Sequence, residues 1–314
     1  MQDNLEMREV YCNSLVEEAK TNDKIVVVEA DLMNCIKTAP FKKAYPDRFF
    51  NVGIAEANMV GVSAGLATCG KIPFCSSFGT FASRRCFDQI FISVAYSRQN
   101  VKIVGTDPGI CAEINGGTHM PFEDMGIMRT IPNMLCVEPT DAAMLKALMP
   151  QIIAYDGATY IRLQRKKAEK VFEDGEKFDL MKAKTVIPGK DATIIASGIM
   201  VSKAVEASKI FKGMGISVGV LNVFTWKPID EAAIVSAAKS TGAIVVAENH
   251  NVKGGLYSAV AETVVNNFPV PMESVGVQDE FGEVGKMPYL AQKFHLTVDD
   301  IVEKTLKAIK RKKK

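Results

Sequence analysis

Residues 48–90 have the sequence RFFNVGIAEANMVGVSAGLATCGKIPFCSSFGTFASRRCFDQI. Residues 55–69 of this stretch predict a helix that is apolar on nearly all sides, and residues 72–76 predict a strand. A helix with so few polar side chains is unlike a surface helix, so we expect Glu56, near its start, to be buried or at an interface. The simplest interpretation is a first-turn carboxylate that complements the helix dipole, but buried carboxylates are also typical of general acid–base sites.

The same alternation of short Ile- and Val-rich runs with longer amphipathic segments continues on both sides of this stretch. The other predicted strands are residues 25–30, 101–106, 134–138, 160–163, 192–197, 218–223, 243–248 and 274–277. The other predicted helices are residues 6–20, 81–96, 142–154, 201–212, 231–238, 256–266 and 298–309. Continuous apolar strands are buried on both faces, as in parallel sheets covered by helices. The pattern therefore predicts the α/β class, with two doubly wound domains.

The division between the domains is expected where the apolar periodicity stops, around residues 165–190. That segment is charged and is interrupted by Gly and Pro. We place the boundary near Thr185, which gives a first domain of residues 1–185 and a second of residues 186–314. Both are ordinary domain sizes, and a chain of 314 residues exceeds what one hydrophobic core usually fills.

Composition excludes several classes of protein. The formal net charge is +2, from 38 basic and 36 acidic residues, and the tail KRKKK at residues 310–314 is interpreted as a solvated helix end. This near-neutral balance does not indicate a nucleic-acid binder. We expect a cytoplasmic protein without a membrane segment, because no apolar run reaches about 18 residues and the N-terminus lacks a secretory signal. The seven cysteines include no C-x-x-C pair, so they are interpreted as buried apolar residues rather than metal ligands.

His119 is the histidine with the strongest indication of a functional role. It follows two consecutive glycines in the segment NGGTHMPFED, and such a loop can present an imidazole to a substrate. The sequence contains no P-loop, no G-x-G-x-x-G after a first strand and no G-x-S-x-G motif. A nucleotide-binding protein or a serine hydrolase is therefore not indicated.

Several of these segments resemble one known family. FFNVGIAEANMVGVSAGLA, PFCSSFGTFASRRCFDQI and NGGTHMPFEDMGIMRTIPNM resemble the pyrimidine-binding domain of transketolase and its relatives. In the second domain the resemblance continues through FTWKPID, AENHNVKGGLYSAVAE and VGVQDEFGEVG. It covers essentially the whole chain, and it implies the C-terminal half of a transketolase, as in families whose enzyme is split into two polypeptides.

The resemblance implies thiamine diphosphate as the cofactor. It assigns Glu56 to a hydrogen bond with the pyrimidine ring, which favours the tautomer that acts as a base. Phe78 and Phe81 match the aromatic pair beside that ring, with Phe81 the preferred stacking partner, and Asp31 matches an aspartate bordering the cofactor. The family's G-D-G motif, which supplies hard oxygen ligands to Mg²⁺, is missing here. The magnesium and diphosphate site is thus implied to come mainly from a separate N-terminal subunit.

For the substrate, Arg8 and Arg165 match the arginines that bind the phosphate of a sugar phosphate. His119 matches the family's loop histidine near the substrate oxygens, and together with Glu56 it is assigned a catalytic role. Arg162 either assists the phosphate site or forms a structural salt bridge, and the sequence leaves this open.

Three positions depart from the family pattern. A second substrate histidine is replaced by Asp107, and the aspartate that contacts the donor hydroxyls is replaced by Asn115. The serine of the phosphate site aligns with Cys35 or Asn34. A carboxylate accepts hydrogen bonds that an imidazole can donate, so these changes predict an unusual ketose donor.

We therefore expect the C-terminal subunit of a transketolase that transfers a two-carbon ketol unit between sugar phosphates, as in the pentose phosphate pathway. Its partners are expected to be the N-terminal subunit and a second copy of itself, in a homodimer or an α2β2 assembly. A 1-deoxyxylulose-phosphate synthase-like or 2-oxoacid dehydrogenase beta-like enzyme is the first alternative. A non-catalytic scaffold is the second, although it would not need Glu56, Phe81 and His119.

Overall fold

Two β-sheets, each flanked by helices, organise the chain in the computed structural model, which describes residues 2–312. The strands are β1 (Ile25–Glu29), β2 (Phe49–Asn51), β3 (Ile72–Phe78), β4 (Lys102–Thr106), β5 (Leu135–Val137), β6 (Thr159–Leu163), β7 (Lys184–Ile187), β8 (Ala192–Ala196), β9 (Val218–Asn222), β10 (Thr225–Lys227), β11 (Ile244–Asn251) and β12 (Met272–Val277). The first sheet has the order β10-β5-β6-β4-β3-β1-β2 and the second β12-β11-β8-β9-β7. Neighbouring strands are parallel except for the pairs β10–β5 and β7–β9. The predicted α/β class with two doubly wound sheets is confirmed.

The α-helices lie between the strands and cover the sheets. They are α1 (Met7–Glu18), α2 (Met33–Ile36), α3 (Ala39–Ala44), α4 (Glu56–Thr68), α5 (Gly79–Ala82), α6 (Phe87–Gln89), α7 (Asp124–Thr130), α8 (Ala142–Ala154), α9 (Met200–Gly213), α10 (Glu231–Thr241), α11 (Leu256–Asn267), α12 (Met287–Lys293) and α13 (Val298–Lys310). No helix within residues 2–312 combines the length and apolar character needed to cross a membrane. The basic tail begins inside α13, and its last two residues, 313 and 314, lie outside the described part of the chain.

The single helix predicted for residues 81–96 is wrong. The structure divides this segment into the end of α5, a 3₁₀ turn (Arg84–Cys86), α6 and a π-helical segment (Ile90–Tyr96). The break falls at Ser83, whose φ of −116° and ψ of −90° are not helical. The Ser83 hydroxyl donates a hydrogen bond to the Gly79 carbonyl at 2.6 Å, the kind of side-chain bond that competes with helical hydrogen bonding.

The central strands of the first sheet are buried on both faces, and this decides where a ligand can reach them. Every residue of β1, β4 and β6 is buried, because helices cover both faces of the first sheet. Parallel strands end at one common edge, and the loops that follow β1, β3 and β4 meet there. In open α/β sheets this carboxyl edge is where ligands bind.

Three short strands were absent from the prediction: β2, β7 and β10. The last of these pairs antiparallel with β5, so residues beyond 185 complete the edge of the first sheet. Strands of three or four residues carry too little periodicity to be recognised from sequence. We keep residue 185, which lies within β7, as the proposed division of the chain. Strand β10 then comes from the second part of the chain but belongs to the sheet of the first.

A buried ion network holds the two sheets together, and Arg162 is at its centre with no exposed surface. Its guanidinium donates to Asp124 at 2.9 Å and to Glu138 at 2.7 Å. A further nitrogen donates at 3.0 Å to the carbonyl of Asn249, which lies near the end of β11 in the second sheet. Arg162 therefore takes the structural role that the sequence left open, because these contacts occupy it away from solvent.

Candidate active site

Glu56 begins α4 and is only 3% exposed. Its Oε2 accepts a hydrogen bond at 2.9 Å from Nη1 of Arg85, a residue that sequence analysis did not single out. The helix dipole and this ion pair together stabilise a carboxylate at the start of an apolar helix. The only sequence signal for Arg85 was its position in an Arg–Arg pair four residues after Phe81.

Arg85 also covers the ring of Phe81, with its guanidinium carbon 3.9 Å from the ring centroid. A flat group with N–H donors thus lies on an aromatic face and against a buried carboxylate at the same time. The aminopyrimidine ring of thiamine diphosphate has the same properties: it is flat, and it presents N–H donors at its edge. Glu56 and Phe81 therefore fit that ring.

Phe78, Phe81 and His119 form one aromatic cluster. The His119 ring centroid is 5.1 Å from that of Phe81 and 5.6 Å from that of Phe78, in edge-to-face geometry. The loop that carries His119 comes close to the backbone of the second domain, since a Cβ added at Gly117 would lie 2.1 Å from the Gly282 carbonyl oxygen. Glycine at this position lets the two backbones approach each other this closely.

Arg165 continues the same row of contacts away from Glu56. Its guanidinium carbon is 5.5 Å from the Phe78 centroid, and its Nε donates to Asp107 Oδ1 at 3.1 Å. Its Nη1 donates to the Cys35 sulfur at 2.7 Å, while Arg8 Nη1 donates to the Cys35 carbonyl at 2.6 Å. The structure thus brings Arg8, Arg165, Asp107 and Cys35 together, and we call these four residues the anion-binding end.

Asp107 follows β4 in a left-handed conformation, with φ of +58°, which aspartate tolerates better than most residues. Burial raises the pKa of its carboxyl to about 6, although Arg165 opposes the shift. Its Oδ2 is buried without a hydrogen-bond partner among residues 2–312, as are polar atoms of Glu29, Ser77, Thr80 and Thr106 at or near the same strand ends. Buried polar atoms normally have partners, so this edge is suited to a polar ligand or to water.

Two predicted residues lie apart from this row. Asp31 is exposed and exchanges hydrogen bonds with Asn51, its Oδ1 accepting from Asn51 Nδ2 at 3.2 Å. Asn115 is exposed at the end of the 3₁₀ segment Gly109–Asn115, and its side chain makes no hydrogen bond within residues 2–312. Their predicted roles at the cofactor and the donor hydroxyls stay predictions. In the described part of the chain, no group of three His, Cys, Asp or Glu side chains is arranged to hold a metal ion.

This combination of a doubly wound fold, a buried helix-start carboxylate, an edge-to-face aromatic cluster and two neighbouring arginines is typical of the pyrimidine-binding half of a thiamine-diphosphate enzyme. Comparison with known protein families gives the same result. Residues 3–170 match the family described as "Transketolase, pyrimidine binding domain", and residues 181–301 match "Transketolase, C-terminal domain". The chain belongs to the transketolase family, whose members are transferases that depend on thiamine diphosphate.

Three relatives are similar over nearly their whole length. The 6-deoxy-6-sulfo-D-fructose transketolase subunit SqwH of Clostridium sp. (strain MSTE9) is 51% identical over 98% of this chain and 95% of its own. A putative transketolase C-terminal section from Methanocaldococcus jannaschii is 41% identical over 97% and 96%. A solved structure described as "Split gene transketolase, inactive beta4 tetramer" aligns with a TM-score of 0.91 and 43% identity, over 99% of this chain and 100% of its own. The chain therefore corresponds to the C-terminal subunit of a split transketolase.

Proposed function

We propose that this chain, together with a separate N-terminal subunit, transfers a two-carbon ketol unit from a ketose with a terminal anionic group to an aldose. The observation that supports this most strongly is the single row of contacts running through Glu56, Arg85, Phe81, His119, Phe78 and Arg165. One end of the row suits a cofactor ring, and the other suits an anion.

When bound, thiamine diphosphate supplies a nucleophilic carbon that adds to the ketose carbonyl. The Glu56 carboxylate would hold a proton on the pyrimidine ring nitrogen, and Phe81 would pack against the ring face. Arg85 now fills that place, so it would give up both contacts to the ring. We propose that Mg²⁺ and the diphosphate are held mainly by the N-terminal subunit, as the missing G-D-G motif indicates.

The remaining predicted residues act on the sugar. His119, which lies against both phenylalanines, would exchange hydrogen bonds with the substrate oxygens near the reacting carbons. Arg8 and Arg165 would bind the terminal anion with charge-assisted hydrogen bonds. We place Asp107 between the reacting carbons and the terminal anion of the sugar. It is hydrogen-bonded to Arg165, and it follows β4, the strand next to β3.

We propose two classes of ketose donor for this site. The first is a ketose sulfonate such as 6-deoxy-6-sulfo-D-fructose, because the relative SqwH carries that name and is 51% identical. The second is an ordinary ketose phosphate of the pentose phosphate pathway, in line with the family as a whole. We place the reaction in the cytoplasm.

Binding of the cofactor to the chain with and without its partner tests the proposal. Titration calorimetry with thiamine diphosphate and Mg²⁺ should give weak binding to the isolated chain, and at least a hundredfold tighter binding after an N-terminal transketolase subunit is added. Ketol transfer should likewise appear only in the mixture. Tight, magnesium-dependent binding to the isolated chain would refute the division of the site between two chains.

The same mixture distinguishes the alternative chemistry. A 2-oxoacid dehydrogenase beta-like or 1-deoxyxylulose-phosphate synthase-like enzyme would release carbon dioxide from pyruvate. We expect no such release, because the two arginines favour a substrate with an anion far from the reacting carbonyl. Carbon dioxide release at a rate comparable to ketol transfer would favour the alternative.

A further inference from the structure

Charges at and around the anion-binding end are balanced one for one. Four cationic side chains each lie within salt-bridge distance of a carboxylate there. The pairs are Arg8 and Lys37 with Glu6 and Glu9, Arg165 with Asp107, and Lys166 with Glu113. The four cations and four carboxylates of these pairs sum to zero, so each of these cations is already opposed by a carboxylate when an anion arrives.

Asp107 differs from the other three carboxylates in its burial and its position. Its side chain is 1% exposed, whereas those of Glu6, Glu9 and Glu113 are 22%, 33% and 17% exposed. Solvent screens the exposed pairs, but a charge in the protein interior acts on its neighbours at much lower effective dielectric. Asp107 is therefore the negative charge that an anion beside Arg165 would experience most strongly.

Arg165 retains one nitrogen for a ligand. Its Nε and Nη1 donate to Asp107 and Cys35, while Nη2 donates to no group within residues 2–312. All three nitrogens of Arg8 are used by Glu6 and Cys35. An anion at this end would thus meet one guanidinium nitrogen, Arg165 Nη2, that has no partner among residues 2–312, with a buried carboxylate next to it.

We propose, on the basis of the function proposed above, that Asp107 makes the anion-binding end selective for a singly charged terminal group, a sulfonate, over a doubly charged phosphate. A carboxylate repels a dianion about twice as strongly as a monoanion at the same distance. A sulfonate oxygen would still accept a hydrogen bond from Arg165 Nη2. At pH 8 Asp107, with a pKa of about 6, is ionised, and a phosphate monoester with a second pKa of about 6 is a dianion.

The experiment compares two ketohexoses that differ only at C6, one with a sulfonate and one with a phosphate. Their binding to the mixture of this chain and its N-terminal subunit is measured by calorimetry at pH 8 without cofactor, and kcat/KM is measured with cofactor. The wild type is expected to bind the sulfonate at least tenfold more tightly. Asp107→Asn, which removes the charge and keeps the shape, should reduce that ratio at least tenfold, mainly by strengthening phosphate binding. Asp107→His should shift the ratio in the same direction, and Asp23→Asn, an exposed position before β1, should leave it unchanged.

A wild type that binds the phosphate more tightly would overturn the inference, whether or not either variant folds. A ratio that does not change in a folded Asp107→Asn variant would also overturn it. Failure of the proposed function is separate from both results, because it appears as the absence of ketol transfer from either donor. The binding ratio is read without that reaction.

Discussion

Glu56 and Arg85 show at the level of single residues what sequence can and cannot reveal about this site. The apolar surroundings of Glu56 were enough to predict a buried carboxylate at the start of a helix, and its side chain is 3% exposed. Its partner lies 29 residues further along the chain, beyond a strand and an irregular turn. No local pattern encodes such a contact, since it depends on how α4 and the segment after β3 are placed by the sheet.

Replacement of this carboxylate tests its assigned role. Glu56→Gln in the reconstituted enzyme should lower turnover by a factor on the order of 10² or more at saturating cofactor, the loss expected for a positioned acid–base group. Glu231→Gln, an exposed first-turn glutamate on α10, is the matched control and should retain normal turnover. Circular-dichroism melting curves should show that both variants fold. Near-normal turnover of Glu56→Gln would contradict the catalytic assignment.

Secondary-structure elements were predicted best where they are long and buried on both sides. The continuous apolar residues of β1, β4 and β6 predicted parallel strands, and they are fully buried. The segment after β3 was predicted as one helix, because its apolar spacing is helical and the break at Ser83 depends on the local hydrogen bond to Gly79. This break places Phe81 and Arg85 on separate short elements, and Arg85 contacts both Phe81 and Glu56.

The carboxyl end of β1 gives an element-scale prediction for stability. Burial raises the pKa of Glu29 to about 8 from 4.5, while a hydrogen bond from Thr38, just before α3, opposes the shift. Between these two pH values the folded chain keeps a proton that the unfolded chain releases, so its free energy of unfolding falls as the pH rises. Glutamine at position 29 carries no titrating proton, so the Glu29→Gln variant should lack this fall in the free energy of unfolding.

Urea unfolding of the isolated chain at pH 6 and pH 8 measures the effect. The free energy of unfolding of Glu29→Gln relative to wild type should increase by about 2 kcal/mol between the two pH values, given about 1.4 kcal/mol per pH unit for one proton and a folded-state pKa of about 8. Glu17→Gln, at an exposed position near the end of α1, should show no such increase. A difference that stays constant with pH would contradict a protonated Glu29 in the folded chain.

The two halves of the molecule are joined by contacts that the sequence pattern did not predict. The alternation of strands and helices predicted two doubly wound units, but not that β10, from residues 225–227, would join the first sheet. Arg162 likewise connects β6 to the Asn249 carbonyl. These are contacts between residues more than 80 positions apart, and only the packed structure specifies them. Arg162 also donates to the Pro121 carbonyl at 3.2 Å, two residues after His119.

The surface of α4 gives a prediction for the assembly. Gly61 and Gly65 are exposed, with nothing within 4 Å of an added Cβ, and the neighbouring Ile54 and Tyr96 are 78% and 79% exposed. We expect this apolar face to pair with a second copy of the chain, because such patches on soluble proteins usually mark interfaces. Gly61→Glu should therefore convert a dimer into a monomer in analytical ultracentrifugation without lowering the melting temperature. Gly213→Glu, at an equally open glycine ending α9, should remain dimeric. If Gly61→Glu keeps the wild-type mass, the copies associate through another face, and Glu56, in the first turn of α4, does not lie beside a partner subunit.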